Sequence, residues 1–445
     1  MDLAAFSFRS LDLEARALLT RLARVKPFAL LEPMLPAAAI SRPSQLAIET
    51  FLSNGRRELR RRIGDFRRWL RLAARQSVTP AEAQRVFTML RLRFNTLLSQ
   101  FDLFADVITQ RSEHESGVWL AGLEAFASDA LALPDYFESS PILCYLDRGP
   151  GASIRRARTR LPGGQASPVG IIQVPRERMV GSGIASSLVH EVGHQAAALL
   201  GLVESLRPIL VGLKSVAQSP WHFWERWISE VIADFWSVAR LGIGSTLGLM
   251  AVVSLPRPFV FRINKDDPHP TPWIRVKLSC AIGNALFPNP QWNRIAEMWE
   301  AFYPLMDLKP ETAELMNELG RSIPAFVTLL VNHRPASLRG ATLSEVMATG
   351  RRQPAQLSAY FNRWRESPDE MRRAPPTLVF AVLGQARMDN VLSPEEESRM
   401  VAYLLTFWAL ENALPSSAKQ IRGGHQCFAC AGSGKGSTIR NVSLN

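Results

Sequence analysis

The amino-acid sequence predicts a mainly helical protein with a small β-sheet, the α+β class. Through most of the chain, apolar residues recur three or four positions apart, as between Leu59 and Leu70, which is the period of an amphipathic helix. Two short apolar runs, at residues 141–146 and 169–174, are instead bounded by proline and glycine, as strands are. Helical regions are therefore expected on both sides of a small sheet.

The size and composition indicate a folded protein of more than one domain. With 445 residues the chain is too long for one compact core, and two or three domains are expected. The hydrophobic share of 47% and the charged share of 21% are those of globular proteins, which excludes a disordered or fibrous chain. The net charge of +12 is compatible with an acidic partner, but it is diffuse and comes almost wholly from arginine.

Cysteine usage and hydropathy favour a soluble, cytoplasmic protein. Four scattered cysteines are too few for a disulfide framework in a chain of this length. The N-terminus lacks the basic, apolar and small-residue segments of a secretory signal. The longest uncharged stretch, residues 241–256, is shorter than the roughly 20 residues that a membrane-spanning helix needs. These features do not exclude peripheral contact with a membrane surface.

Residues 1–135 are predicted to form an N-terminal helical domain. Within it, Thr79 provides a helix cap, Pro80 occupies the first helical position, and Glu82 follows the cap by three residues. This arrangement is a capping box and predicts that a new helix begins there.

Nine arginines lie between Arg56 and Arg75 in the same predicted domain. An arginine-rich helix can bind nucleic acid or a membrane surface. Glu58 and Asp65 are interspersed among the arginines, however, which is typical of a solvated helix face. We favour the solvated face over a nucleic-acid partner.

Three further regions follow the N-terminal domain. The small sheet and the helices after it form a predicted central domain at residues 136–335. Residues 336–415 are predicted to be a C-terminal helical region, and residues 416–445 a flexible tail, because the last segment is rich in small and polar residues. The sequence shows no internal repeat.

The central domain contains the pattern His190-Glu191-x-x-His194 within an apolar helical segment. Residues four apart project from one helical face, so both imidazoles can bind one zinc ion. Zinc lowers the pKa of a coordinated water, and the Glu191 carboxylate is placed to act as its general base. A polar helix face is the alternative, but two histidines and a glutamate would be costly to bury there without a partner.

A third metal ligand is expected from a second helix, and Glu230 is the candidate. The segment after Ser219 is a helical and largely apolar run in which Glu230 and Asp234 share one face. Glu230 would bind the metal, while Asp234 would accept the outer N–H of a ligating histidine. His222 and Glu225, nearer the start of the helix, are the alternatives for the third ligand.

Three elements in this order resemble the family of CaaX prenyl endopeptidases and heat-shock membrane endopeptidases, whose soluble relatives are the minigluzincins. The elements are His190-Glu191-x-x-His194, Glu230-x-x-Ala233-Asp234, and His269-Pro270 followed by Arg275. The resemblance covers roughly residues 185–280 and does not extend to the flanking helical regions. This chain lacks the spanning helices of the membrane members, so prenylated substrates do not follow from it.

The resemblance implies a zinc metalloendopeptidase of the gluzincin type, with a zincin-like catalytic domain flanked by helical domains. It places His269 and Arg275 beside the metal, where His269 could donate a hydrogen bond to the developing oxyanion. A loop-ending His-Pro and a structural role for Arg275 are the alternatives. The strand at 169–174 is expected to be an edge along which an extended protein or peptide substrate is added.

The tail contains a second candidate metal site, formed by Cys427, Cys430 and His425. The two cysteines have the spacing of a zinc knuckle, but only one such pair is present and tetrahedral zinc needs about four ligands. A redox pair and a recognition tail are the alternatives. Nucleotide binding near Lys435 is excluded, because Ala429 stands where a phosphate-binding loop requires its first glycine.

Two hypotheses for function follow. The first is a zinc-dependent endopeptidase with one catalytic zinc held by His190, His194 and Glu230. The second is a zinc-stabilised interaction protein or a tightly regulated zymogen with little proteolysis of its own. Retention of Glu191 favours the first, because a structural zinc site has no need of a base. The natural substrate and the oligomeric state do not follow from the sequence.

Overall fold

The computed structural model describes residues 3–73, 78–148, 152–157, 167–176, 183–214, 219–264 and 267–429, and the side chains beyond Ala413 are not described. Within these residues the protein is mostly helical and contains one small three-stranded sheet, as the sequence predicts.

The N-terminal part consists of three long helices: α1 (Leu3–Arg24), α2 (Arg42–Ala73) and α3 (Pro80–Thr109). Their apolar faces form one hydrophobic core. The predicted capping box at the start of α3 is confirmed: the Glu82 N–H donates to the Thr79 hydroxyl at 3.2 Å, and the Thr79 N–H donates to the Glu82 carboxylate at 2.8 Å.

The arginine-rich side of α2 is exposed and carries ion pairs within the helix. Arg61 lies 2.9 Å from Glu58 and 3.0 Å from Asp65. Exposed pairs of this kind contribute only about 0.2–1 kcal/mol each. The pairing is that of the solvated helix face expected from the sequence.

The sheet contains β1 (Ile142–Asp147), β2 (Ser153–Arg155) and β3 (Gly170–Pro175) in the order β1-β3-β2. β3 pairs parallel to β1 and antiparallel to β2. The expectation that the strand at 169–174 is an edge is therefore wrong, because β3 is hydrogen-bonded on both sides. The apolar pattern of a single strand does not show whether one or two other strands pair with it. In the described residues β1 and β2 are the outer strands.

Each face of the sheet is buried in a different hydrophobic core. Successive side chains of a strand point to opposite faces. Ile142 and Cys144 of β1 therefore contribute to the larger central core, while Leu143 and Tyr145 contribute to the core of α1–α3. The sheet joins the N-terminal helices to the rest of the protein.

Nine further helices of the described residues contribute to the larger core. They are α4 (His114–Leu131), α5 (Gly183–Leu200), α6 (Leu202–Gly212), α7 (Trp221–Leu241), α8 (Ile243–Val253), α9 (Arg257–Val260), α10 (Pro272–Leu286), α11 (Gln291–Phe302) and α12 (Pro310–Asn332). α4 packs on α5 and β1 in this core, and α5 also packs against the sheet. The proposed domain boundary at residue 135 stays a prediction.

Five more helices complete the described chain: α13 (Leu343–Val346), α14 (Pro354–Glu366), α15 (Pro368–Arg373), α16 (Pro376–Met388) and α17 (Pro394–Ala429). α16 packs against α7 and α8, and α17 packs against α4. These helices therefore share the central core with α5 and α7.

Helices α5 and α7 pack in close contact at Gly193. A Cβ atom added to Gly193 would lie 2.9 Å from the Ala233 Cα and 3.0 Å from the Trp236 Cβ. These distances are too short for a side chain on α5, so the glycine lets the two backbones approach. α5 ends at Leu200, and the next residue, Gly201, has a left-handed φ of 59°. The axis of α6 is bent by 82° relative to that of α5.

Among the described residues, no single helix has both the length and the apolar composition to cross a membrane. The bent pair α5 and α6 meets the length and composition criteria when the two helices are taken together.

Substitution of Gly193 tests the contact between α5 and α7. We expect Gly193→Ala to lower the free energy of unfolding by about 1–3 kcal/mol, because overpacking forces the helices apart. Gly212→Ala is the control, since a Cβ atom there meets nothing within 4 Å. It should leave the free energy of unfolding unchanged or raise it by up to about 1 kcal/mol in denaturant unfolding, because alanine reduces the conformational entropy of the unfolded chain. Equal effects of the two substitutions would contradict the packing argument.

Candidate metal centre

Helices α5 and α7 bring together His190, His194 and Glu230, a group that could hold a metal ion. The Nε2 atom of His190 lies 3.2 Å from Glu230 Oε2, and the Nε2 atom of His194 lies 3.4 Å from Glu230 Oε1. Nitrogen and oxygen ligands at usual zinc distances are about 3.3 Å apart around a tetrahedral ion. The two separations end on different oxygens of Glu230, and one ligand atom from each of the three side chains lies within 4.8 Å of the others, a spacing that could hold one ion.

Burial makes this group chemically unusual. His190 and Glu230 are 9% and 6% exposed, and His194 is partly buried. Ionisable side chains are rarely buried together unless they are paired or bind a metal. The donor set of two imidazoles and one carboxylate also leaves a fourth position free around a tetrahedral zinc ion, as catalytic zinc sites do.

The outer nitrogen of His190 is held by an ion pair. His190 Nδ1 lies 2.8 Å from Asp234 Oδ1, and the Arg275 guanidinium donates to both oxygens of Asp234 at 2.7 and 2.8 Å. Burial alone would raise the pKa of Asp234, but the charges and hydrogen bonds of Arg275 and His190 hold it well below its usual range. Asp234 thus stays ionised and can accept the Nδ1–H of His190.

The same carboxylates favour the charged form of His190 in the metal-free protein. Burial opposes this charge, but Asp234 and Glu230 outweigh it and raise the pKa of His190 to about 9. The pKa of Glu230 is in turn held far below its usual range: burial opposes this, but hydrogen bonds from His190, His194 and His269 prevail. A metal ion bound here would replace a proton on His190.

Glu191 is half-buried beside the first ligand. Burial raises its pKa above the ordinary glutamate value, although the charges of His190 and His194 act in the opposite direction. A carboxylate with a raised pKa is a stronger base than a solvated one. Glu191 is therefore more basic than a solvated glutamate and follows His190 directly in sequence.

His269 also reaches the centre, from the loop before α10. Its Nε2 atom lies 3.1 Å from Glu230 Oε2, and its Nδ1 atom lies 2.7 Å from Asp267 Oδ1. The Asp267 carboxylate also accepts the backbone N–H of His269 at 3.0 Å. Asp267 was missed in the sequence analysis, although its position two residues before His269 is a local signal for such a turn.

The alternative third ligands are not part of the group. Glu225 pairs with Arg207 at 3.0 Å and with Lys214 at 2.8 Å. His222 is exposed, and its ring lies 3.3 Å from the Ser219 carbonyl. Within the described residues, Glu230 is the carboxylate of α7 that meets both histidines.

The second candidate site falls outside the described part of the chain. The side chains of His425 and Cys427 are not described, and Cys430 lies beyond the described residues. Cys144 and Cys280 are buried thiols in the central core. Burial raises the pKa of Cys280 to about 12.

Comparison of the chain with protein-family models, with curated proteins and with solved structures finds no significant match.

Removal of the Glu230 carboxylate tests the ligand assignment. We expect one zinc per wild-type chain by elemental analysis, and Glu230→Gln should lose the metal or weaken its binding by more than about tenfold. Glu225→Gln, on the same helix, is the matched control and should retain zinc. Zinc retained by Glu230→Gln, or lost only by Glu225→Gln, would overturn the assignment. Two zinc ions per chain would indicate a second site in the tail.

Zinc affinity should rise with pH. The pKa of His190 is raised to about 9, so binding displaces one proton at neutral pH. The apparent affinity should increase about tenfold per pH unit between about 6.5 and 9, measured by competition with a chelator. A zinc affinity that does not change with pH would contradict the displacement of a proton from His190.

The free energy of unfolding of the metal-free protein should fall as pH rises. The stability contributed by charged His190 is complete below about pH 6.5 and is lost as pH rises through 9.

Proposed function

We propose that the protein is a zinc-dependent endopeptidase of the gluzincin type. The observation that carries the proposal is the convergence of His190, His194 and Glu230, with Glu191 one residue from the first ligand. A structural zinc site is usually closed by four protein ligands and has no need of a base. This group offers three ligands and a half-buried carboxylate, which is the donor set of a catalytic site.

The chemistry follows from the position of each group. Bound at these ligands, zinc would polarise a peptide carbonyl and lower the pKa of a water molecule. Glu191 would take the proton from the attacking water and deliver it to the leaving amine. His269 would donate a hydrogen bond to the oxyanion that develops on the carbonyl. The Asp267 carboxylate would orient the His269 ring for that role.

Arg275 and Asp234 would act through His190. Arg275 binds both oxygens of Asp234, which fixes the orientation of the carboxylate. Asp234 in turn fixes the tautomer of His190 by accepting its Nδ1–H. The Arg275–Asp234 pair would therefore determine how well the first ligand faces the metal.

The substrate we propose is an extended polypeptide segment. β2 is an outer strand of the sheet, and it lies against α5, the helix that carries both histidines. An extended peptide can be added to a strand edge through main-chain hydrogen bonds, with little dependence on sequence. We therefore assign the docking edge to β2 instead of β3. Together with α5 and α7, this sheet would form a zincin-like catalytic unit.

Replacement of the proposed base separates catalysis from metal binding. We expect Glu191→Gln to retain one zinc per chain but to cleave a chemically unfolded, fluorescently labelled protein about 10²–10⁴-fold more slowly than wild type. Glu204→Gln, an exposed glutamate on α6, is the control and should cleave normally. Equal activity of Glu191→Gln and wild type, or zinc without cleavage in wild type, would refute the endopeptidase and favour a zinc-stabilised interaction protein.

A further inference from the structure

The two histidines of the metal centre have different outer partners. His190 Nδ1 faces the Asp234 carboxylate at 2.8 Å, whereas His194 Nδ1 lies 3.4 Å from the hydroxyl of Ser229. Both rings turn their Nε2 atom toward Glu230. Each imidazole thus has one nitrogen at the metal position and the other at a side chain of α7.

We propose that Ser229 is a positioning residue of the metal centre, which holds His194 in the tautomer that can bind zinc. A neutral imidazole carries its proton on one nitrogen only. If the Ser229 hydroxyl accepts the Nδ1–H of His194, the lone pair of Nε2 is left free for the metal. The inference rests on the proposed zinc site, but it does not depend on proteolysis.

The order of residues on the two helices supports this role. His190 and His194 are one turn apart on α5, while their outer partners, Asp234 and Ser229, are five residues apart on α7. His190 meets Asp234, the later of the two partners on α7, and His194 meets Ser229, the earlier one. This reversed order is the one expected of two antiparallel helices. Glu230, next to Ser229, lies between the two outer partners in sequence. Residues 229–234 of α7 therefore contain the candidate ligand and the outer partners of both histidines.

The two outer contacts differ in strength. The contact of His190 with Asp234 is short and involves a carboxylate, and such charge-assisted bonds are roughly twice as strong as neutral ones. The contact of His194 with Ser229 is long and neutral. We therefore expect His194 to be the less firmly oriented ligand, and loss of Ser229 to have a smaller effect than loss of Asp234.

A serine within a helix often has a different role. Its hydroxyl can donate to the carbonyl four residues earlier, which affects only the local helix. This alternative predicts that substitution of Ser229 leaves metal binding unchanged. Zinc affinity therefore distinguishes a positioning role from a purely structural one.

The experiment measures zinc affinity of the full chain by competition with a chelator, and the visible absorption of the Co²⁺-substituted protein. Ser229→Ala should bind zinc about three- to tenfold more weakly, below the 10–100-fold typical of outer partners because the serine is neutral. The Co²⁺ spectrum should change, since it reports ligand geometry. Ser229→Thr keeps the hydroxyl and should restore both properties to within about twofold of wild type.

Ser205→Ala is the matched control. The Ser205 hydroxyl lies 2.8 Å from His333 Nε2, so the same type of pair is removed away from the metal group. The inference is overturned if Ser229→Ala matches wild type and Ser205→Ala in both measurements, or if Ser229→Thr is as weak as Ser229→Ala. If Ser229→Ala does not fold, Ser229→Val, which has the shape of Ser229→Thr without the hydroxyl, replaces it with the same expected loss.

The readouts separate this inference from the proposed activity. Weaker zinc binding in Ser229→Ala, restored by Ser229→Thr, would support the positioning role even if the wild-type protein cleaves no substrate. Cleavage by wild type together with unchanged zinc binding in Ser229→Ala would overturn the role and leave the endopeptidase intact.

Discussion

The close packing of α5 against α7 is the constraint on which the rest of the centre depends. Two candidate ligands lie on α5 and the third on α7, so the distance between these helices sets whether one ion could contact all three. Gly193 lies between the histidines and faces Ala233, which lies between Glu230 and Asp234. A glycine and an alanine at this crossing let the helices approach while the longer polar side chains meet on either side.

Charge balance is the second condition. The centre contains the carboxylates of Glu191, Glu230 and Asp234. The Arg275 guanidinium donates to Asp234, also lies 3.3 Å from His190 Nδ1, and neutralises only part of their charge. In the metal-free protein the remaining carboxylates draw protons onto imidazoles, which is why the pKa values of His190 and His269 are raised. A divalent cation would supply the same positive charge without those protons. Binding of a metal ion at this group would therefore release protons from the imidazoles.

The sheet connects this centre to the N-terminal helices. β1 is buried on both faces, with alternate side chains in the two cores, so neither core can shift without affecting the strand. β2 packs on β3 and also lies against α5. If a peptide is added to the edge of β2, as proposed, it would lie alongside α5, the helix that carries both histidines. The N-terminal helices thus pack on the face of the sheet opposite to the core that contains α5 and α7.

The sequence by itself predicted the helical character, the capping box of α3 and the His190/His194 pair, because these follow from spacing within single helices. Glu230 was a candidate beside His222 and Glu225, and the packing of α7 against α5 decided which of them meets the two histidines. Only the tertiary structure decided that β3 is central and that Ser229 faces His194. Both features depend on how distant segments of the chain pack together. The periodicity of a helix or strand shows only which face of that element a residue occupies.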